Sequence, residues 1–192
     1  TSQNTLNGPT AVAVNAAGTQ IFVADSVNNR VLRFDVSTLV PSAPGVNQAS
    51  LVLGQTAYTS NAPGSGLGQL TNPQGVAVDR TGRVYVADTG NNRVLIYNTP
   101  LTNGKPANVT LGDALGAGAT QMNMPTGLAI GPDDRLYVAD TGNNRVLVFD
   151  PPFTNGKAAT KVYGQTGFGT AAPGAGTTGM RGPDGCGGRC SQ

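Results

Sequence analysis

Three sets of residues in this 192-residue chain have the types and spacing to do chemistry: Asp25, Asn29 and Arg30; Asp88, Asn92 and Arg93; Asp140, Asn144 and Arg145. A carboxylate, an amide and a guanidinium within six residues could bind an anion or place a proton. The threefold return argues instead for a structural device. An Asp at a strand end can accept backbone N–H groups of the following turn, and an Arg five residues on can pair back across it. Asp133-Asp134 is the only adjacent carboxylate pair, and Gly131-Pro132-Asp133-Asp134 reads as a turn, where neighbouring side chains diverge. The chain has no His, so an imidazole base, a Ser-His or Cys-His relay and His-ligated zinc are excluded. Asp-x-[Asp/Asn]-x-[Asp/Asn]-Gly calcium loops do not occur. The expectation is a non-enzyme with no catalytic residue, no metal and no cofactor.

Cys186 and Cys190 are the only cysteines, and Cys-x-x-x-Cys without His is a poor zinc site. Gly187-Gly188 lets the chain bend between them, so a disulfide within or between chains is the expected use, and it points to an oxidising compartment. The lysine-poor, Ala/Thr/Asn/Gly-rich surface points the same way, toward an extracellular or cell-surface setting. Asn108-Val109-Thr110 has the form of a glycosylation sequon, a short motif that arises readily by chance.

The elements that must carry the repeated set are strands. All ten carboxylates are Asp, Gly (28) and Pro (13) are abundant, and short Val/Ile/Leu/Tyr runs are bounded by Gly, Asn and Pro, which makes the chain all-β. The repeat intervals, Asp25 to Asp88 and Asp88 to Asp140, mark an array of one supersecondary unit. The second unit divides into strands over 73–79, 83–88, 93–97 and 109–111. Arg80-Thr81-Gly82 turns between the first two. Thr102-Asn103-Gly104-Lys105, repeated as Thr154-Asn155-Gly156-Lys157, reads as a hairpin turn between the last two. Val84-Tyr85-Val86 and Val94-Leu95-Ile96 are apolar on both faces, so each sheet should lie between neighbours. Radial stacking of four-stranded antiparallel blades, a β-propeller, meets that need. The blades span about 8–58, 72–115 and 124–168 within a unit of 1–183, and residues 184–192 form a Gly/Cys tail.

Pro-x-Gly-[Val/Leu]-Ala-[Val/Ile] followed by [Phe/Tyr]-Val-Ala-Asp-x-x-Asn-Asn-Arg-Val resembles the NHL repeat, over about Gly8 to Gln165. The resemblance implies a propeller, commonly six-bladed. It also implies one of several roles: a protein-binding sensor module, an RNA-binding domain or a lyase scaffold with a metal centre. Twelve Lys and Arg against ten Asp, with few aromatics, leave little for RNA, and no run is long enough to span a membrane.

The segment Gly54 to Pro73 aligns without a gap on Gly164 to Pro183, so Pro183 opens a fourth unit that Cys186 to Cys190 interrupts. Three blades would bare an apolar face at each end. The expected partner is therefore a second copy, in a ring or a filament, with Met180, Arg181, Pro183, Cys186 and Cys190 lending a strand. The alternative is a fragment of a larger secreted propeller whose ligand-binding or lyase-type activity lies elsewhere. Tyr58 and Phe168 are expected to anchor the long loops at 59–72 and 169–182, which share a face with the Asp-to-Asn turns and would meet any protein ligand.

Overall fold

The computed structural model describes residues 2–38, 47–112 and 114–174. Met180, Arg181, Pro183, Cys186 and Cys190, with the expected disulfide and strand donation, lie outside the described residues. The chain forms three four-stranded antiparallel sheets, each a meander in chain order. Blade 1 comprises β1 (Pro9–Val14), β2 (Gln20–Asp25), β3 (Arg30–Asp35) and β4 (Leu51–Leu53). Blade 2 comprises β5 (Gly75–Val78), β6 (Val84–Asp88), β7 (Arg93–Tyr97) and β8 (Val109–Leu111). Blade 3 comprises β9 (Pro125–Ile130), β10 (Leu136–Asp140), β11 (Arg145–Phe149) and β12 (Lys161–Tyr163). The first strands lie side by side, β1 against β5 and β5 against β9, so the sheets radiate as propeller blades without closing a ring.

The core lies between blades, as the two-faced apolar strands require. Phe22, Ala24, Leu51 and Leu53 of blade 1 meet Val76, Val84, Val86, Leu95 and Tyr97 of blade 2. The opposite face of blade 2, with Ala77, Tyr85, Val94, Ile96 and Leu111, meets Leu136, Val138, Leu147 and Phe149 of blade 3. Among the described residues the outer blades keep one open face each. Val12 and Val14 of β1 are 63% and 52% exposed, whereas Val76, in the register of Val12, is 5% exposed. At the other end Tyr163 is 49% exposed, whereas its counterpart Leu111 is fully buried.

One core position is chemically mismatched. Tyr97 is fully buried and its hydroxyl has no hydrogen-bond partner among the described residues. Phe34 and Phe149 occupy the same place in blades 1 and 3. An unpaired buried hydroxyl costs about 1–3 kcal/mol. Tyr97→Phe should therefore stabilise the chain by about 1 kcal/mol, read as a higher urea midpoint at unchanged slope.

The Asn-Gly turns differ from the hairpin expectation. β7 and β8 are joined by the long connection 98–108, and Thr102–Lys105 folds within it to reach the neighbouring blade. Gly104 donates its N–H to the Val52 carbonyl (3.0 Å) and Asn103 Oδ1 accepts from Val52 N–H (3.0 Å). Gly156 and Asn155 grip Thr110 in the same way at 3.0 and 2.9 Å. Each turn thus caps the outer strand of the preceding blade, because an edge strand's free N–H and C=O are the strongest groups within reach.

Candidate functional site

Each repeated Asp ends the second strand of its blade, where the backbone leaves β geometry for a single 3₁₀ turn. The turn closes on Asn29, Asn92 or Asn144 in the left-handed region, with φ of 53°, 55° and 52°. Asn tolerates that conformation better than most side chains. The chain then returns as the third strand, which places Arg30, Arg93 and Arg145 directly opposite the carboxylates in the ladder.

The carboxylates are saturated. Oδ2 accepts from Arg Nε at 2.6, 2.7 and 2.6 Å in blades 1, 2 and 3. It also accepts from the side chains of Asn28, Asn91 and Asn143 at 2.9, 2.8 and 2.8 Å. Oδ1 accepts from the backbone N–H of Asn7, Thr71 and Asn123, the residues that lead into each blade, at 2.6, 2.7 and 2.7 Å. The backbone donor expected in the following turn thus lies upstream instead, and the turn contributes an Asn side chain. The carbonyls of Asn7, Thr71 and Asn123 accept from Val27, Gly90 and Gly142, so each blade entry is held at both ends. The outer guanidinium nitrogens hold loop carbonyls: Ser2, Thr5 and Tyr58 for Arg30; Ser65, Gly66 and Gln69 for Arg93; Ala117, Gly118 and Gln121 for Arg145. Asp25, Asp88 and Asp140 are fully buried, so no substrate reaches them. Burial pushes the Asp88 carboxyl up, against the pull of bonds from Thr71, Asn91 and Arg93.

In blades 1 and 2 the second Asn of the doublet serves the junction. Asn29 Oδ1 accepts from Asn72 N–H (2.8 Å) at the entry of blade 2, and Asn92 Oδ1 from Met124 N–H (2.9 Å) at the entry of blade 3. Beside them Ser26 donates to the Pro73 carbonyl, and Thr89 to the Pro125 carbonyl at 2.6 Å. Sequence reasoning missed the separate work of Asn28, Asn91 and Asn143 and of Ser26 and Thr89. The recurrence of Asn-Asn and Ser/Thr at those offsets was the available signal. In blade 3, Asn144 holds Ala171 O (3.0 Å) and Gln165 holds Ala172 O (2.9 Å), as Asn29 and Gln55 hold Asn61 O and Ala62 O at the same 2.9 Å. The loop leaving blade 3 therefore starts along the path of the loop leaving blade 1.

Tyr58 packs against Leu32, Ala49 and Val52 and donates to Asn103 Oδ1 (3.1 Å), so it anchors its loop as expected. Phe168 is 39% exposed. Asp133 and Asp134 lie in the β9–β10 turn and pair with different cations, Arg135 and Arg80. A fourth buried carboxylate, Asp79, is worked upward by burial. Bonds from Thr81, Arg83 and Tyr85 outweigh that and hold it below the usual carboxylate range. Arg83 also lies 5.7 Å from the Phe153 ring of blade 3, joining the network to the second junction.

Among the described residues no three His, Cys, Asp or Glu gather as a metal site, and no helix is long and apolar enough to cross a membrane. A groove of about 460 Å³ runs along the first strands, lined by Thr10, Val12, Gln74, Gly75, Thr126 and Gly127, with no charged group.

The NHL repeat model matches residues 6–34, 70–97 and 122–149. Each match begins beside a blade entry and runs into the third strand. Teneurin-1 of Gallus gallus and of Mus musculus are each 26% identical over 171 residues, covering 76% of this chain. The chain spans about 6% of the length of these curated relatives. The Kuenenia stuttgartiensis hydrazine synthase structure superposes with a TM-score of 0.58 at 16% identity, over 85% of this chain and 38% of that one, which is a likeness of fold alone. The chain belongs to the NHL-repeat family, as three successive blades of a β-propeller.

Proposed function

We propose that this chain is a non-catalytic propeller module that works through protein contact, completed across its open blade ends by a second copy, and set outside the cell. One observation carries the reading: apolar positions that pack into the core at both internal junctions are uncovered at the two ends, Val12 and Val14 on one side and Tyr163 on the other. The junction chemistry supports it. Gly8 holds φ 61° immediately before Pro9, as Asn72 (49°) and Met124 (50°) do before Pro73 and Pro125. Blade 1 thus offers the entry that Asn144 and Thr141 would grip in a second copy. The repeated carboxylates, consumed in buried pairs, support the non-catalytic part.

A second reading, a segment of a longer secreted propeller with activity elsewhere, is favoured by the small share of the curated relatives that the chain spans. Sedimentation at micromolar concentration tests the first reading. Concentration-dependent dimers or larger assemblies are expected, and Val12→Asp or Tyr163→Asp, both at exposed positions, should return a folded monomer. A wild-type chain that stays monomeric across that range overturns it.

A further inference from the structure

The Asn-Gly turns that bridge the blades are also reactive groups. With no side chain on the glycine, its backbone nitrogen can attack the preceding Asn Cγ. The N–Cγ bond forms, the Cγ–Nδ2 bond breaks, and ammonia leaves with the proton that the glycine nitrogen gives up. Water then opens the cyclic imide. Breaking N–Cγ yields Asp, and breaking the bond to the former backbone carbonyl yields isoaspartate, which adds a methylene to the main chain.

At both turns the neighbouring blade holds the two reactants. Gly104 N–H is bonded to Val52 O, and the Asn103 amide is pinned through Oδ1 by Val52 N–H and the Tyr58 hydroxyl. Gly156 N–H is bonded to Thr110 O, and the Asn155 amide is pinned by Thr110 N–H. Cyclisation requires the glycine nitrogen to lose its proton and the amide to swing over it, and neither is open while the clamp is closed. Asn103 and Asn155 are otherwise exposed to solvent, so access of water does not limit the reaction.

We propose that Asn103 and Asn155 are modification sites gated by the blade junctions, converting irreversibly to aspartate and isoaspartate when the neighbouring outer strand detaches. An isoaspartate displaces either the amide oxygen or the glycine N–H from its partner, so an opened junction does not reclose as before. The turns would record opening as a permanent chemical change, of the kind by which local unfolding becomes irreversible.

The chain carries its own comparison. Asn7-Gly8 is a third Asn-Gly pair, exposed, whose Asn side chain and glycine N–H have no partner among the described residues, although the Asn7 backbone is bonded to Asp25 and Val27. Incubation of the folded chain in mildly alkaline buffer, followed by peptide mass mapping, should show Asn7 converting at least about tenfold faster than Asn103 and Asn155. In urea at the same pH and temperature the three rates should converge. A Gly75→Ala variant, which wedges only the second junction, should raise conversion at Asn155 and leave Asn103 slow. Should Asn103 and Asn155 convert in the folded wild-type chain as fast as Asn7, or as fast as in urea, the gating is overturned, whether or not the variant folds.

Discussion

Asp88→Ala should destabilise the chain by about 3–4 kcal/mol in urea unfolding, a large share of the roughly 5–15 kcal/mol that holds a domain together. The central blade is packed on both faces, so the damage cannot be confined to a fraying end. Removal of the carboxylate leaves the Arg93 guanidinium, whose side chain is 11% exposed, without a counter-charge, and strips the acceptor from Asn91 and from Thr71 N–H. Breaking a buried pair from one side costs more than deleting both partners. Adding Arg93→Met should therefore recover part of the loss, even though the carbonyls of Ser65, Gly66 and Gln69 lose their donor. The exposed pair sets the scale: Arg80, whose side chain is 70% exposed, meets Asp134 at 2.5 Å, and Arg80→Ala should change stability by no more than about 0.5 kcal/mol. A carboxylate kept for chemistry would behave oppositely, since its removal relieves burial and leaves the fold as stable or more so. The Asp88 result thus separates an architectural role from a catalytic one without an assay of activity.

The Asp–Arg half of this node was legible in the sequence because both residues are charged, recur at a fixed offset and lie opposite each other once a strand–turn–strand is drawn. The other half was not. The partner of each Oδ1 is a backbone N–H, carried by Asn7, Thr71 or Asn123, and a main-chain donor leaves no side-chain signature to betray the position. The Asn-Asn doublet shows the same limit. Both asparagines recur, so repetition cannot assign one to the carboxylate and the other to the junction; only the turn geometry separates them. Strand order followed from short apolar runs and the turn residues that bound them, whereas the reach of Asn103 and Asn155 to the preceding blade depends on backbone groups about 50 residues away, to which a local hairpin signal is blind.

Gly75→Ala should cost about 3 kcal/mol, whereas Gly127→Ala, the same change at the same position one blade on, should cost nothing or stabilise by a few tenths. A Cβ at Gly75 would lie 2.0 Å from the Thr126 carbonyl oxygen of blade 3 and 3.1 Å from Ala87 Cβ. Neither is a flexible tip, so the first strands of the two blades must part, and the core between Tyr85 and Phe149 loosens with them. At Gly127 the added methyl meets only Ala139 Cβ, at 3.4 Å, because among the described residues no further blade lies against it. Blade 1 carries Ala11 in this register, so the first junction already holds a methyl and the second does not. Paired urea curves would read the difference directly. Equal costs at the two glycines would mean that backbone freedom, not blade spacing, selects glycine here. If blade 3 does receive a further blade, Gly127→Ala should weaken association while leaving the lone chain's stability intact. One substitution would then distinguish a glycine kept for a neighbour within the chain from one kept for a neighbour beyond it.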